Sequence, residues 1–208
     1  MRSAHCREPA HPERGRAVAE EVGGRWVALD VADSASVAAA AKDVAAHEGR
    51  LDVLVNNAGV TGPFKEAADV TGEDARAVYE VNVLGVVRTT HAFLPLLRAS
   101  ADPRVVNVTS GLGSQTLTHD PERVEHSVVS PLYTSSKAAV TMLTTQYARG
   151  VEGVRFNAAD PGYTATDLNH HTGTQTVTEG TDAIVALATE DASAGTGRAV
   201  DREGPLPW

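Results

Sequence analysis

Short runs of nearly continuous apolar residues, each halted by a polar or glycine-rich loop and each separated from the next by a helix-length stretch, restrict this chain to very few architectures. Leu51-Asp-Val-Leu-Val55 stops at Asn56-Asn57-Ala58-Gly59. A run that short, apolar on both faces and ended by turn formers, is how a parallel strand covered on both sides reads. The pattern recurs where Arg104-Val-Val-Asn-Val108 enters Thr109-Ser110-Gly111, and where Val154-Arg-Phe-Asn157 is soon followed by Asp160-Pro161-Gly162. Arg25-Trp-Val-Ala-Leu29, ending at Asp30, is a fourth predicted strand. Between them the period changes to that of a helix. Glu13 to Val22 predicts a short helix closed by a turn at Gly23-Gly24. Val37, Ala38, Ala41, Val44 and Ala45 recur at helical spacing up to His47, with Ser34 as the predicted N-cap. Glu73 to Leu97 reads as one long helix with Pro95 near its end, and Tyr133 to Arg149 as another. Strands alternating with helices predict an α/β fold with a doubly wound, Rossmann-like parallel sheet. No repeat, low-complexity tract or linker divides the 208 residues, so one domain over 1–208 is expected.

Composition narrows the function. The formal charge of −9, with dispersed Lys and Arg, argues against a nucleic-acid partner, which calls for a clustered basic surface. No stretch approaches the ~18 to 20 apolar residues of a membrane helix, and Met1 to Arg16 lacks the apolar core of a secretory signal, so a cytoplasmic protein is expected. The single cysteine, Cys6, has no partner for an internal disulfide. His119, His126, His170 and His171 lack the spacing of a ligand set, and no metal is expected.

In open α/β sheets ligands bind beyond the carboxyl ends of the strands. Asp30, Asn56 to Gly59, Thr109-Ser110-Gly111 and Asp160 to Thr166 all fall there. Taken singly, each is explained by the needs of a turn; together they mark one face. Tyr133-Thr-Ser-Ser-Lys137 opens an apolar helix, and residues four apart share a helix face, so phenol and ammonium can address one point. A free Tyr titrates near ~10, and a cation beside it favours the phenolate, each unit of change being worth roughly 1.4 kcal/mol. The expectation is that Lys137, together with a cation carried by the bound ligand, brings the Tyr133 pKa into a range useful for proton transfer.

Asn56-Asn57-Ala58-Gly59 after a strand, Asn82 within Val81-Asn-Val-Leu-Gly85, Ser110 after Val105 to Thr109, Tyr133-x-x-x-Lys137 and Asp160-Pro161-Gly162 occur in an order and approximate spacing that resemble the short-chain dehydrogenase/reductase family, from about Glu13 onward. The closing Gly204-Pro-Leu-Pro-Trp208 is similar to the tail of a bacterial subgroup close to carbonyl reductases. The resemblance implies an oxidoreductase that moves a hydride between NAD(P)(H) and a small carbonyl or alcohol substrate. It implies Asn82, Ser110, Tyr133 and Lys137 as the catalytic set: Tyr133 exchanges the proton, Ser110 holds the substrate oxygen, Lys137 tunes Tyr133 and binds ribose hydroxyls, and Asn82 holds a relay water. It also places Asp30, Asn56, Ala58, Gly59, Tyr133, Lys137, Pro161, Gly162, Thr164 and Thr166 along the cofactor. Arg7 would pair with a 2′-phosphate, favouring NADP(H) weakly over NAD(H).

Two departures qualify this. The family opens with a strand and a T-G-x-x-x-G-x-G turn that receives the pyrophosphate, and this chain has neither, so an N-terminally truncated domain is expected. Loss of that unit leaves an inactive remnant as an alternative, beside a non-catalytic cofactor-sensing or interaction protein on the same scaffold. The stretch from Ser110 to Tyr133 is also longer than usual, with Asp120-Pro-Glu-Arg123 inside it. Such an insertion resembles that of carbonyl-reductase-type members, where it covers the dimerisation face, and a monomer is slightly favoured. Ser114 is the alternative to Ser110, with strand-end position favouring Ser110.

Overall fold

The computed structural model describes residues 12–208; Cys6 and Arg7 lie outside the described residues. Helix α1 (Pro12–Glu21) closes on Gly23, whose φ of 66° is the left-handed geometry glycine adopts freely, and Gly24 N–H donates to Ala19 C=O. There follow α2 (Ser34–His47), β1 (Val53–Asn56), α3 (Gly72–Asn82), α4 (Leu84–Arg98), β2 (Arg104–Val108), α5 (Gln115–His119), α6 (Pro131–Gly150), β3 (Arg155–Ala159), α7 (Val177–Thr189) and β4 (Ala199–Val200). The four strands form one parallel sheet in the order β1-β2-β3-β4, with Asn56 opposite Asn107 and Val108 opposite Ala159.

Successive strand residues point to opposite faces; Val55 of β1 is exposed, whereas both faces of β2 and β3 are covered. On one, Val105 and Phe156 meet Leu97 of α4 and Tyr147 and Ala148 of α6; on the other, Val106 and Ala159 meet Ala183 and Leu187 of α7. This explains why the strands read as continuous apolar runs. Phe156 is fully buried and its ring stacks on Tyr147 at 5.2 Å. Phe156→Ala is expected to cost about 3–5 kcal/mol in denaturant unfolding; a loss below about 1 kcal/mol would show that the cavity collapses without penalty.

Three expectations are corrected. Arg25–Leu29 forms no β-ladder among the described residues. Val27 packs against the Ala40, Ala41, Phe93 and Leu96 cluster while Leu29 is exposed, and a strand also needs a neighbour for its backbone, which none of the described residues supplies. The long helix over Glu73–Leu97 is two helices, interrupted at Val83 (φ −112°, ψ −58°) beside Asn82. The cap of α2 is Asp33, which accepts from Ala35 N–H at 2.9 Å, while the Ser34 hydroxyl accepts from Arg88 Nε. Arg88 also donates to Val31 C=O, which binds the Asp30–Ala32 turn to α4.

Candidate active site

The carboxyl ends of β1, β2 and β3 bring the predicted residues together in part. Asn82, at the end of α3, is almost fully buried. Its amide bridges the loop after β1, with Val60 N–H donating to Oδ1 (2.8 Å) and Nδ2 donating to Val60 C=O (2.9 Å). The same Nδ2 donates to Ser136 Oγ at 2.9 Å, and Ser136 Oγ donates to Tyr133 C=O. Asn82 thereby ties the Gly59 loop to the first turn of α6. The helix break at Val83 lies next to the residue whose side chain is held in this way.

Lys137 is only 4 % exposed. Its ammonium donates to Val108 C=O at 2.9 Å and stands 5.6 Å from the centre of the Tyr133 ring. A methyl group placed on Gly59 would lie 3.5 Å from Lys137 Nζ and 3.6 Å from Asn82 Oδ1, so the space that glycine leaves is walled by an ammonium and an amide oxygen. Thr109, buried at the end of β2, donates to Lys137 C=O or meets Thr141 Oγ1 and so fixes α6 against the sheet. Ser110 follows it, faces Tyr133 and favours the ionised phenol. Ser114 is fully buried, donating to Pro207 C=O and capping α5 through Leu117 N–H. Ser114 Oγ is taken up by Pro207 C=O, whereas Ser110 stands by the Tyr133 hydroxyl.

Burial dominates the electrostatics of Tyr133 and Lys137. It pushes the Tyr133 hydroxyl up to about 12, with the nearby Asp160 carboxylate adding to the rise and Ser110 opposing it. The Lys137 ammonium is pushed down to about 8 by burial, against the pull of Asp160.

Other predicted residues serve the scaffold. Asn56 is buried in a chain of side chains: Thr89 Oγ1 donates to its Oδ1, its Nδ2 donates to Asn107 Oδ1, and Asn107 Nδ2 donates to Thr144 Oγ1. This joins α4, β1, β2 and α6 and leaves only the backbone of Asn56 for a ligand. Asp30 closes its own turn through Ala32 N–H. Thr164 donates to Pro161 C=O, and Thr166 caps the turn at Asp167–Asn169. Gly162 has φ 67°, and a methyl group there would strike Gln175 Oε1 at 2.2 Å. His119 and His126 are held to backbone carbonyls through Nδ1. Among the described residues no three His, Cys, Asp or Glu side chains are grouped to hold a metal, and no helix is long and apolar enough to cross a membrane.

A cavity of about 420 Å³ lies elsewhere, between α6, β4 and Trp208, and contains none of Ser110, Tyr133, Asn82 or Lys137. Asp160, which the sequence places on the ligand face and in the Asp160-Pro161-Gly162 motif without a role of its own, lies close to Tyr133 and Lys137. Its carboxylate is buried beside the site and accepts from Gly111 N–H (2.8 Å) and Gly162 N–H (2.9 Å).

The family model described as short chain dehydrogenase matches residues 9–176. The chain belongs to that family. Among its relatives, short-chain dehydrogenase anuI of Penicillium roqueforti is 38% identical over 187 residues, covering 86% of this chain and 74% of that protein. A (+)-neomenthol dehydrogenase of Arabidopsis thaliana is 31% identical over 212 residues, covering 77% and 71%. Among solved structures of this fold, the Drosophila melanogaster carbonyl reductase Sniffer superposes with a TM-score of 0.83 at 19% identity, over 98% of this chain and 86% of its own. An NADPH-bound carbonyl reductase from chicken fatty liver superposes with a TM-score of 0.77 at 25% identity, over 94% and 82%. As a member of the short-chain dehydrogenase family, the chain is of the oxidoreductase class that acts on carbonyl and alcohol groups, on a Rossmann-like fold.

Proposed function

We propose that this chain reduces a carbonyl, or oxidises the corresponding alcohol, with a nicotinamide nucleotide, and that Tyr133 is its acid/base. The observation that carries this reading is the convergence of Lys137 Nζ and Asn82 Oδ1 on the space beside Gly59, next to a Tyr133 phenol faced by Ser110.

The nicotinamide half of a dinucleotide fits these residues. Gly59 leaves the room that a side chain would fill, and Lys137 Nζ and Asn82 Oδ1 offer a donor and an acceptor at its edge for ribose hydroxyls. Ala58 and the Pro161–Gly162 turn would flank it, with Thr164 and Thr166 beyond. Asp30 would stand on the adenine side. The cofactor, NADP(H) weakly over NAD(H), supplies the hydride.

The chain's own residues manage the oxygen. Ser110 Oγ holds the substrate oxygen against the Tyr133 hydroxyl, a positioning role. In reduction Tyr133 gives its proton to that oxygen as the C–H bond forms; in oxidation the phenolate takes the proton from the alcohol. A phenol held up at about 12 is fully protonated at neutral pH, which suits the reductive direction. Lys137 and Asn82 return the proton, Asn82 through a water at the Val60 loop. The exposed apolar side chains of Val128 and Val129 before α6, and of Tyr163 and Leu168 after β3, support a small to medium apolar substrate.

Fluorescence titration of the full chain with NADPH and NADH tests the reading. Saturable binding, tighter for NADPH, and weakened at least tenfold in Lys137→Ala is expected, since a charge-assisted hydrogen bond is worth about 1.5–3 kcal/mol. Absence of binding by a folded chain favours the reading as a remnant. Binding without reduction of any aldehyde or ketone favours a sensor.

A further inference from the structure

We infer that Asp160 is a positioning residue of the reaction: its buried carboxylate fastens the Ser110–Gly111 loop to the Pro161–Gly162 turn and sets a fixed negative charge beside Tyr133 and Lys137. The inference rests on the reading of Tyr133 as the acid/base.

The geometry is that of a clip. One carboxylate oxygen accepts from Gly111 N–H, at the end of β2, and the other accepts from Gly162 N–H, at the end of β3. The two loops that present the substrate-oxygen side and the nicotinamide side of the site are thus joined through one side chain. The backbone on either side of Asp160 is pinned as well: its own N–H donates to Val200 C=O, and Thr109 N–H donates to Ala159 C=O. Asp160 therefore has little freedom to move toward water.

Other groups face it from each neighbouring element. Tyr133 and Lys137 lie on the α6 side, Glu125 comes from the insertion, and Asp201 follows β4. A methyl group on Gly111 would lie 3.0 Å from both Asp160 Oδ2 and Glu125 Oε1, so the two carboxylates crowd one glycine. Burial and these two acidic neighbours raise the Asp160 pKa, while the Gly111 and Gly162 amides oppose the rise. Two fixed N–H dipoles are what allow a carboxylate to remain charged there. A negative charge at this place resists a second one on the Tyr133 oxygen and favours the ammonium of Lys137.

The test uses the cofactor-free full chain and needs no activity. The alkaline phenolate absorbance of Tyr133 is isolated by subtracting the Tyr133→Phe variant, in the parent and in Asp160→Asn backgrounds. A Tyr133 midpoint lower by about half a unit or more in Asp160→Asn is expected from the loss of one nearby charge. In parallel, the amide proton resonances of Gly111 and Gly162 in the unsubstituted chain are followed against pH. Both are expected to move with one shared midpoint, above the ~3.9 of a free Asp. An unchanged Tyr133 midpoint overturns the electrostatic role. Separate or absent titration of the two glycine amides overturns the clip, and this arm decides if Asp160→Asn does not fold. Failure of nucleotide binding, by contrast, leaves both readouts in place and counts only against the enzymatic reading.

Discussion

Tyr133→Phe is expected to lower carbonyl reduction by about 10²- to 10⁴-fold, the range spanned by loss of a positioned proton donor. Nucleotide affinity is expected to stay close to that of the parent, because Lys137 Nζ keeps its bond to Val108 C=O and no bond of the Asn82 side chain involves the phenol. The same pair of proteins carries a stability signature. The Tyr133 hydroxyl is raised from 10.0 to about 12 in the folded chain. The folded state therefore holds a proton that the unfolded state releases first. The stability linked to it is present below about pH 10 and is lost as pH rises toward 12. Melting temperatures of the parent and of Tyr133→Phe, compared from neutral to alkaline pH, should diverge above about pH 10 with the parent falling faster. Activity within tenfold of the parent would remove Tyr133 from the proton-donor role.

Gly113→Ala is expected to impair both stability and activity although residue 113 touches no reacting group. The added methyl would sit 2.6 Å from Ala138 N and 2.8 Å from Lys137 C, which are backbone atoms of α6 and cannot swing aside. Relief requires the turn after Ser110 and the helix that carries Tyr133 and Lys137 to separate. Overpacking of this kind costs about 1–3 kcal/mol, and a displacement near 1 Å at a reacting centre can cost about 10²-fold in rate. Thermal melting and single-turnover reduction measure the two effects. A variant with unchanged melting temperature and rate would mean that the Gly111–Gly113 turn adapts freely and that α6 is not fixed through it.

The candidate site was proposed along the chain because the fold places ligands where strands end, and strand ends announce themselves as Asn, Gly, Ser and Pro after apolar runs. Ser110, Tyr133 and Lys137 follow from that and from the helical spacing of four residues. Ser114 was a real competitor in the sequence. Its burial under Pro207, a contact between residues far apart in sequence, is what excludes it. Asn56 illustrates the opposite case. Its position suggested a cofactor contact, yet its amide completes a buried network with Thr89, Asn107 and Thr144, none of which is near it in sequence.

The sequence by itself determined the α/β class, the parallel sheet and the residues gathered at its carboxyl edge, because periodicity and turn chemistry are local properties written in consecutive residues. Tertiary structure alone decided which of those residues face one another and how they are charged. Arg25–Leu29 has the composition of a strand but no ladder partner among the described residues, and the helix over Glu73–Leu97 breaks where Asn82 turns to the Val60 loop. Burial raises the Tyr133 hydroxyl and lowers the Lys137 ammonium, with Asp160 adding to the first shift and opposing the second. Desolvation and Coulomb interactions depend on what surrounds a group in space, and that is the information a linear chain does not carry.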